Sequence, residues 1–218
     1  MTWKKEAFKN FKLYAVTNIT GPETSVARKV QRAYLGGADI VQLRSKNVSD
    51  RSLLKIGAFI REIADGYGRL FFVNDRPDLA IALKADGLHL GQDDMPIAVA
   101  RRLCRLAGRR LWIGKSTHSL AQALAAEKEG ADYIGVGPIF GTPTKPDYKP
   151  VGVELIRQVK CKIKIPFVVI GGIDETNIHN VLEAGATRIA VVRAIFQARD
   201  IYAAAKKLRR QIEDYTSR

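Results

Sequence analysis

A chain of 218 residues, 46% of them hydrophobic, is long enough to bury one large core or two small ones and too apolar for extended disorder. Its formal net charge of +14 raises nucleic acid as a partner, yet the basic residues are scattered, as at Arg101, Arg102, Arg105, Arg109 and Arg110 or Lys206, Lys207, Arg209 and Arg210, and read as solvated helix faces that would also draw in anionic substrates. Cys104 and Cys161 lack partners at metal-ligand spacing and no apolar run reaches spanning length, so the expectation is a reduced, cytoplasmic protein with no export or membrane segment.

After a short N-terminal extension over residues 1–12, Leu13–Val16 reads as the first strand. Four later stretches repeat one phrase: GADIVQL from Gly37, KADGLHL from Lys84, GADYIGV from Gly130 and GATRIAV from Gly185. In each, a helix ends at a small residue, Ala-Asp or Ala-Thr turns the chain, and an apolar strand begins. Further strands are expected at Leu70–Val73, Trp112–Gly114 and Phe167–Ile170, making eight. Between them, helical spacing groups Val26, Val30 and Ala33; Leu53, Ile56, Ile60 and Ile63; Ile178, Val181 and Leu182; and Ile201, Ala204, Ala205, Leu208 and Ile212. Ser49 or Asp50, Ser119 and Asp200 are placed as N-caps, and Gly66, Gly108, Gly130 and Gly185 as helix ends. The stretch Arg76–Leu83 has room for two turns at most. Alternating strands and helices imply parallel pairing through right-handed crossovers. The expected fold is therefore α/β, a single (β/α)8 TIM barrel over residues 1–218, with a doubly wound sheet as the alternative. No GxGxxG follows the first strand to favour that alternative.

Barrel enzymes place their chemistry at the C-terminal strand ends. Strand two exits through Gln42, Arg44 and Lys46, which alternate onto one face, with Leu43 and Ser45 between them. Strand three exits into Asn74 and Asp75, and strand four into His89, Gln92, Asp93 and Asp94. Two carboxylates at adjacent exits suit Mg²⁺, although Asp93 or Asp94 before Pro96 could instead be a helix cap, and His89 alone could be a satisfied core histidine. Strand five ends at Lys115, Ser116, Thr117 and His118. Strand six runs through the stretch DYIGVGPIFGTPTK, whose Thr142, Pro143, Thr144 and Lys145 form a polar loop with donors and a positive charge for an anion. The Gly171-Gly172 pair after strand seven, with Val192 and Arg193 after strand eight, occupies the usual phosphate-binding quarter of such barrels.

From Leu13 to Ile195 these ordered motifs, QLR.K, ND, HLGQ.D, a Gly-x-Ser segment, DYIGVGPIF.T.TK and GGI, resemble the thiamine phosphate synthase family. The resemblance implies that hydroxymethylpyrimidine diphosphate is condensed with thiazole phosphate, releasing diphosphate. It implies Gln42, Arg44, Lys46, Asn74, Ser116 and Lys145 as ligands of the pyrimidine diphosphate, and Asp75 and Asp94 as ligands of Mg²⁺. Thr142, Thr144, Gly172, Val192 and Arg193 would hold the thiazole phosphate, with Leu43, Ser45, His89 and Pro143 also near the substrates. Arg44, Lys46 and Lys145 are the expected catalytic groups. The sequence departs from the family pattern at Ser45, Ala190 and Arg193; the last would offer the phosphate a guanidinium fork. A thiazole tautomerase using His118 and a non-catalytic module binding RNA or phosphate metabolites are the competing readings, the latter disfavoured by aromatics that fall in strands and helix faces. A homo-oligomer is left open.

Overall fold

Each expected strand forms. β1 (Leu13–Val16), β2 (Ile40–Leu43), β3 (Leu70–Asn74), β4 (Gly87–Leu90), β5 (Trp112–Thr117), β6 (Tyr133–Val136), β7 (Phe167–Ile170) and β8 (Ile189–Val191) pair in order, all parallel. β8 returns to β1, Leu13 opposite Ile189 and Ala15 opposite Val191, which closes an eight-stranded barrel. The computed structural model describes residues 2–19, 22–45, 48–142 and 149–217.

Strand alternation sorts the side chains into two layers. Tyr14, Val16, Ile40, Leu70, Phe72, Tyr133 and Val168 fill the barrel interior, while Leu13, Ala15, Val41, Leu43, Phe71, Val73, Ile113 and Ile134 face the helices. Those helices are α2 (Glu23–Leu35), α3 (Asp50–Gly66), α4 (Pro77–Ala82), α5 (Ile97–Leu106), α6 (Leu120–Lys128), α7 (Glu154–Lys162), α8 (Ile178–Glu183), α9 (Arg193–Phe196) and α10 (Ile201–Thr216), after a leading α1 (Thr2–Asn10). Ser49, Ser119 and Asp200 cap α3, α6 and α10 by accepting from the backbone N–H of Ser52, Gln122 and Ala203. α3 ends at Gly66, as expected, and the left-handed turn follows two residues on, at Gly68.

The extension over residues 1–12 is mostly helix, and it stoppers the N-terminal mouth. Phe8 and Phe11 enter the inner cluster, and Phe8 stacks on Trp112 with ring centroids 4.5 Å apart. Burying a Phe ring contributes about 1.5–3 kcal/mol, so the stopper adds core that the strands alone lack.

The repeated Ala-Asp phrase has a structural meaning at the same end. Asp39, just before β2, accepts from the N–H of Leu13 at 3.1 Å; Asp86, before β4, from Phe71 at 2.9 Å; and Asp132, before β6, from Ile113 at 2.7 Å. Each carboxylate thus caps the start of the preceding strand and is neutralised by arginine: Asp39 by Arg69 and Arg209, Asp86 by Arg61, Asp132 by Arg101. Arg101 and Arg209 are therefore not the purely solvated groups that their helix positions suggest. Burial works against the Arg61 charge, but Asp86 and Asp65 outweigh it and hold its pKa above the ordinary value.

Candidate active site

The stoppered end leaves the C-terminal mouth as the open one. There a cavity of about 340 Å³ is lined by residues from the ends of all eight strands. Gln42, Arg44, Asn74, His89, Ser116, Thr142, Gly172, Val192 and Arg193 line it, so nine of the sequence-proposed residues converge on one space. Lys46, Pro143, Thr144 and Lys145 lie outside the described residues.

Four others stand elsewhere. Leu43 points outward into the helix layer and is buried there, away from the cavity. Ser45 does not line the cavity, as its place between the two basic side chains implies. Asp75 and Asp94 also stand off the wall, next in chain to Asn74 and within the turn after β4.

The geometry of these two carboxylates is nevertheless specific. Asp75 adopts a left-handed backbone (φ 59°), which costs a non-glycine residue roughly 1 kcal/mol or more. Two backbone hydrogen bonds hold it there: its N–H donates to His89 O at 2.8 Å, and Arg76 N–H reaches back to Asn74 O at 2.7 Å. Asp94 Oδ2 accepts from Gly91 N–H at 2.5 Å, closing a tight turn. It does not cap α5, whose N-cap position is Pro96 with no side-chain bond, so the helix-cap alternative falls away. Gln92 fastens the turn to β5 by donating to Ser116 O at 2.5 Å. Carboxylates on neighbouring strand exits are hard oxygen donors of the kind Mg²⁺ takes alongside phosphate oxygens and water. No cluster of three or more His, Cys, Asp or Glu that could hold a metal by itself occurs among the described residues.

Arg44 is set by a residue that the sequence did not advertise. Thr17, 1% exposed at the end of β1, accepts from Arg44 N–H at 2.9 Å and donates its hydroxyl proton to Arg44 O at 3.1 Å. Its own N–H donates to Gln42 O at 2.9 Å. The chain leaving β2 is thereby clamped on both sides, which aims the Arg44 side chain at the cavity. The signal that could have found Thr17 is its place one residue beyond an apolar strand, where a buried hydroxyl needs partners.

On the opposite wall, Gly172 takes a left-handed backbone (φ 64°), and a Cβ there would lie 2.7 Å from Gly141 O and 2.8 Å from Phe140 Cβ. No side chain fits, so the β7 exit lies against the chain leading to Thr142. Asp174, also in the wall, is held below the usual carboxylate range, chiefly by the Thr176 hydroxyl. Ala190 supplies an apolar floor, and Arg193 opens α9 at the rim. His118 lines the cavity as well, with Nδ1 against Gly137 O.

Fold and site together define a class: a (β/α)8 barrel whose C-terminal mouth carries a small-molecule pocket with cationic and hydroxyl groups on its wall. The sequence pattern described as thiamine monophosphate synthase matches residues 13–195. Thiamine-phosphate synthase of Shouchella clausii is 46% identical over 208 residues, covering 94% of this chain and 98% of the relative. The enzyme of that name from Gloeobacter violaceus is 48% identical over 182 residues, 84% of this chain, which spans about half (52%) of that longer protein. Among solved structures, thiamine phosphate pyrophosphorylase from Pyrococcus furiosus superposes with a TM-score of 0.84 at 40% identity, covering 94% of this chain and 96% of the other. The chain belongs to the thiamine monophosphate synthase family. No helix among the described residues is long and apolar enough to cross a membrane.

Proposed function

We propose that this chain joins 4-amino-2-methyl-5-hydroxymethylpyrimidine diphosphate to 4-methyl-5-(2-phosphoethyl)thiazole, giving thiamine phosphate and diphosphate. The observation that carries the reading is the gathering of Gln42, Arg44, Asn74, Ser116, Thr142, Gly172 and Arg193 around one cavity, in a chain that matches 98% of the length of a relative named thiamine-phosphate synthase.

The reaction breaks the bond between the pyrimidine methylene carbon and the diphosphate oxygen, and the bonding pair leaves with diphosphate. The thiazole nitrogen lone pair forms the new C–N bond, and the product carries a thiazolium cation. No proton is exchanged at the reacting atoms, so no general base is needed. What the site must supply is stabilisation of charge on the departing oxygen and a dry, aligned partner. Arg44, clamped by Thr17, supplies the first together with Lys46 and Lys145. Asn74 and Ser116 hold the pyrimidine side. Thr142, Thr144, Gly172 and Arg193 hold the thiazole phosphate, with Val192 and Ala190 packing near it. Asp75 and Asp94 would hold Mg²⁺ against the diphosphate, and the ion would neutralise part of its charge. His118 keeps the tautomerase reading as the competitor, since it faces the same cavity.

The test is incubation with both phosphorylated precursors and Mg²⁺, followed by chromatography of the products. Thiamine phosphate formed in equal amount with diphosphate is expected. Isomerisation of the thiazole alone, independent of Mg²⁺, would replace this reading with the tautomerase.

A further inference from the structure

A hydrogen-bonded chain crosses the barrel interior along the floor of the cavity. Gln42 Nε2 donates to Tyr14 Oη at 2.7 Å, and Tyr14 Oη lies 3.1 Å from Tyr133 Oη. Tyr133 Oη lies 2.9 Å from His89 Nδ1, and His89 Nε2 lies 2.9 Å from Ser116 Oγ. The five residues come from five strands, β2, β1, β6, β4 and β5, and only barrel closure brings them together. Two glycines make room for the rings. A Cβ at Gly114 would lie 2.1 Å from Tyr133 Cζ, and one at Gly135 would lie 3.1 Å from His89 Cε1.

The direction of the chain is set at its Gln42 end. An amide nitrogen can only donate, so Tyr14 accepts there. Tyr14 is 1% exposed and has one proton, and Tyr133 is its other hydrogen-bond partner among the described residues. Were Tyr14 to accept from Tyr133 as well, its own proton would be buried without an acceptor, which is costly. Tyr14 therefore donates to Tyr133, and Tyr133 donates onward to His89 Nδ1. Burial raises the pKa of both phenols, so both keep their protons at neutral pH.

We propose that Tyr14 and Tyr133 are positioning residues that carry the direction of the Gln42 amide to His89 and lock its imidazole as the neutral Nε2–H tautomer. His89 then donates to Ser116 Oγ, and Ser116 turns its own hydroxyl proton into the cavity. The site thereby presents a fixed donor to a lone-pair acceptor on the ligand, a ring nitrogen or a phosphate oxygen. That this acceptor belongs to the pyrimidine diphosphate rests on the function proposed above; the tautomer does not.

The test is nitrogen NMR on ligand-free protein labelled at its histidine rings. The chain has three histidines, and His89 is assigned by loss of its signals in His89→Gln. The expected spectrum shows Nε2 bearing the proton and Nδ1 as an acceptor. Gln42→Glu replaces the donor with a carboxylate that can only accept, so the chain should reverse and the proton should move to Nδ1. Tyr133→Phe should leave a mixture of tautomers and raise KM for the pyrimidine substrate about tenfold, the worth of one ordinary hydrogen bond, while kcat changes far less. A wild-type His89 that is cationic or protonated at Nδ1, or a Tyr133→Phe protein with unchanged tautomer and KM, overturns the proposal. Wild-type protein showing the Nε2–H state but no condensation would leave the relay standing and remove the reaction instead.

Discussion

Replacing Asp86 by alanine separates the two ends of the barrel. The Asp86 side chain is 4% exposed and accepts at once from Arg61 at 2.7 Å, Lys4 at 2.7 Å and the Phe71 N–H at 2.9 Å. Removing it leaves the Arg61 guanidinium, 11% exposed, with the solvent-facing Asp65 as its remaining ion-pair partner among the described residues, and leaves a strand-start N–H without its acceptor. Breaking such a buried pair costs about 3–5 kcal/mol, and the lone N–H adds to it without full additivity. Lys4 is more exposed and contributes little. A loss of about 3–5 kcal/mol is therefore expected for Asp86→Ala, against a total stability of roughly 5–15 kcal/mol. Asp86→Asn keeps an acceptor for Phe71 and should lose about 1–3 kcal/mol. Equilibrium urea unfolding measures both, with m unchanged. Because Asp86 sits at the stoppered end, kcat/KM per folded molecule should stay within about twofold of wild type, as expected for the stability face of such barrels. A destabilisation below about 1 kcal/mol, or a loss of turnover in fully folded protein, would refute the reasoning.

The opposite face should behave in reverse. Arg44→Ala is expected to lower kcat/KM by about 10²–10³-fold with little change in unfolding midpoint, and Thr17→Val, which keeps shape but loses the clamp, by about tenfold; steady-state kinetics checks both. Chelation of divalent ions should abolish turnover reversibly, and Asp94→Asn should raise the Mg²⁺ concentration for half-maximal rate by about 10–100-fold in a metal titration. Burial raises the pKa of Tyr14, Tyr34 and Tyr133 above the ordinary tyrosine value. Groups raised in the folded state give stability that is complete below the unfolded pKa and is lost as pH climbs towards the folded one. Unfolding should therefore become easier above pH 10, by about 1.4 kcal/mol per pH unit for each phenol and about 4 for the three. In an alkaline absorbance titration, three of the seven tyrosines should ionise only on unfolding.

How much of this was legible beforehand follows from where the information sits. Continuous apolar runs such as Phe167–Ile170 named the strands, because a strand buried on both faces has no other way to read. The recurring Ala-Asp named the repeat, though not its role, since the N–H that each carboxylate caps lies on the strand before it. β5 runs three residues past its expected end, so Lys115 and Ser116 belong to the strand and face opposite sides, Lys115 buried and Ser116 to the cavity. α1 is not legible in the sequence, because Phe8 and Phe11 acquire their meaning only from the barrel mouth that they fill. At the site, polar residues at strand ends were readable one exit at a time. Tyr14, Tyr133 and Thr17 were not, because an aromatic or a threonine in an apolar strand looks like core until closure shows what its hydroxyl meets.

The most direct measurement is a time course of diphosphate release from the pyrimidine diphosphate, with and without the thiazole phosphate. Release matched one-for-one by thiamine phosphate, dependent on the thiazole partner and suppressed in Arg44→Ala, is the predicted result. Release that ignores the thiazole phosphate, or that survives undiminished in Arg44→Ala, would contradict the assignment of this cavity as the place where the two substrates are joined.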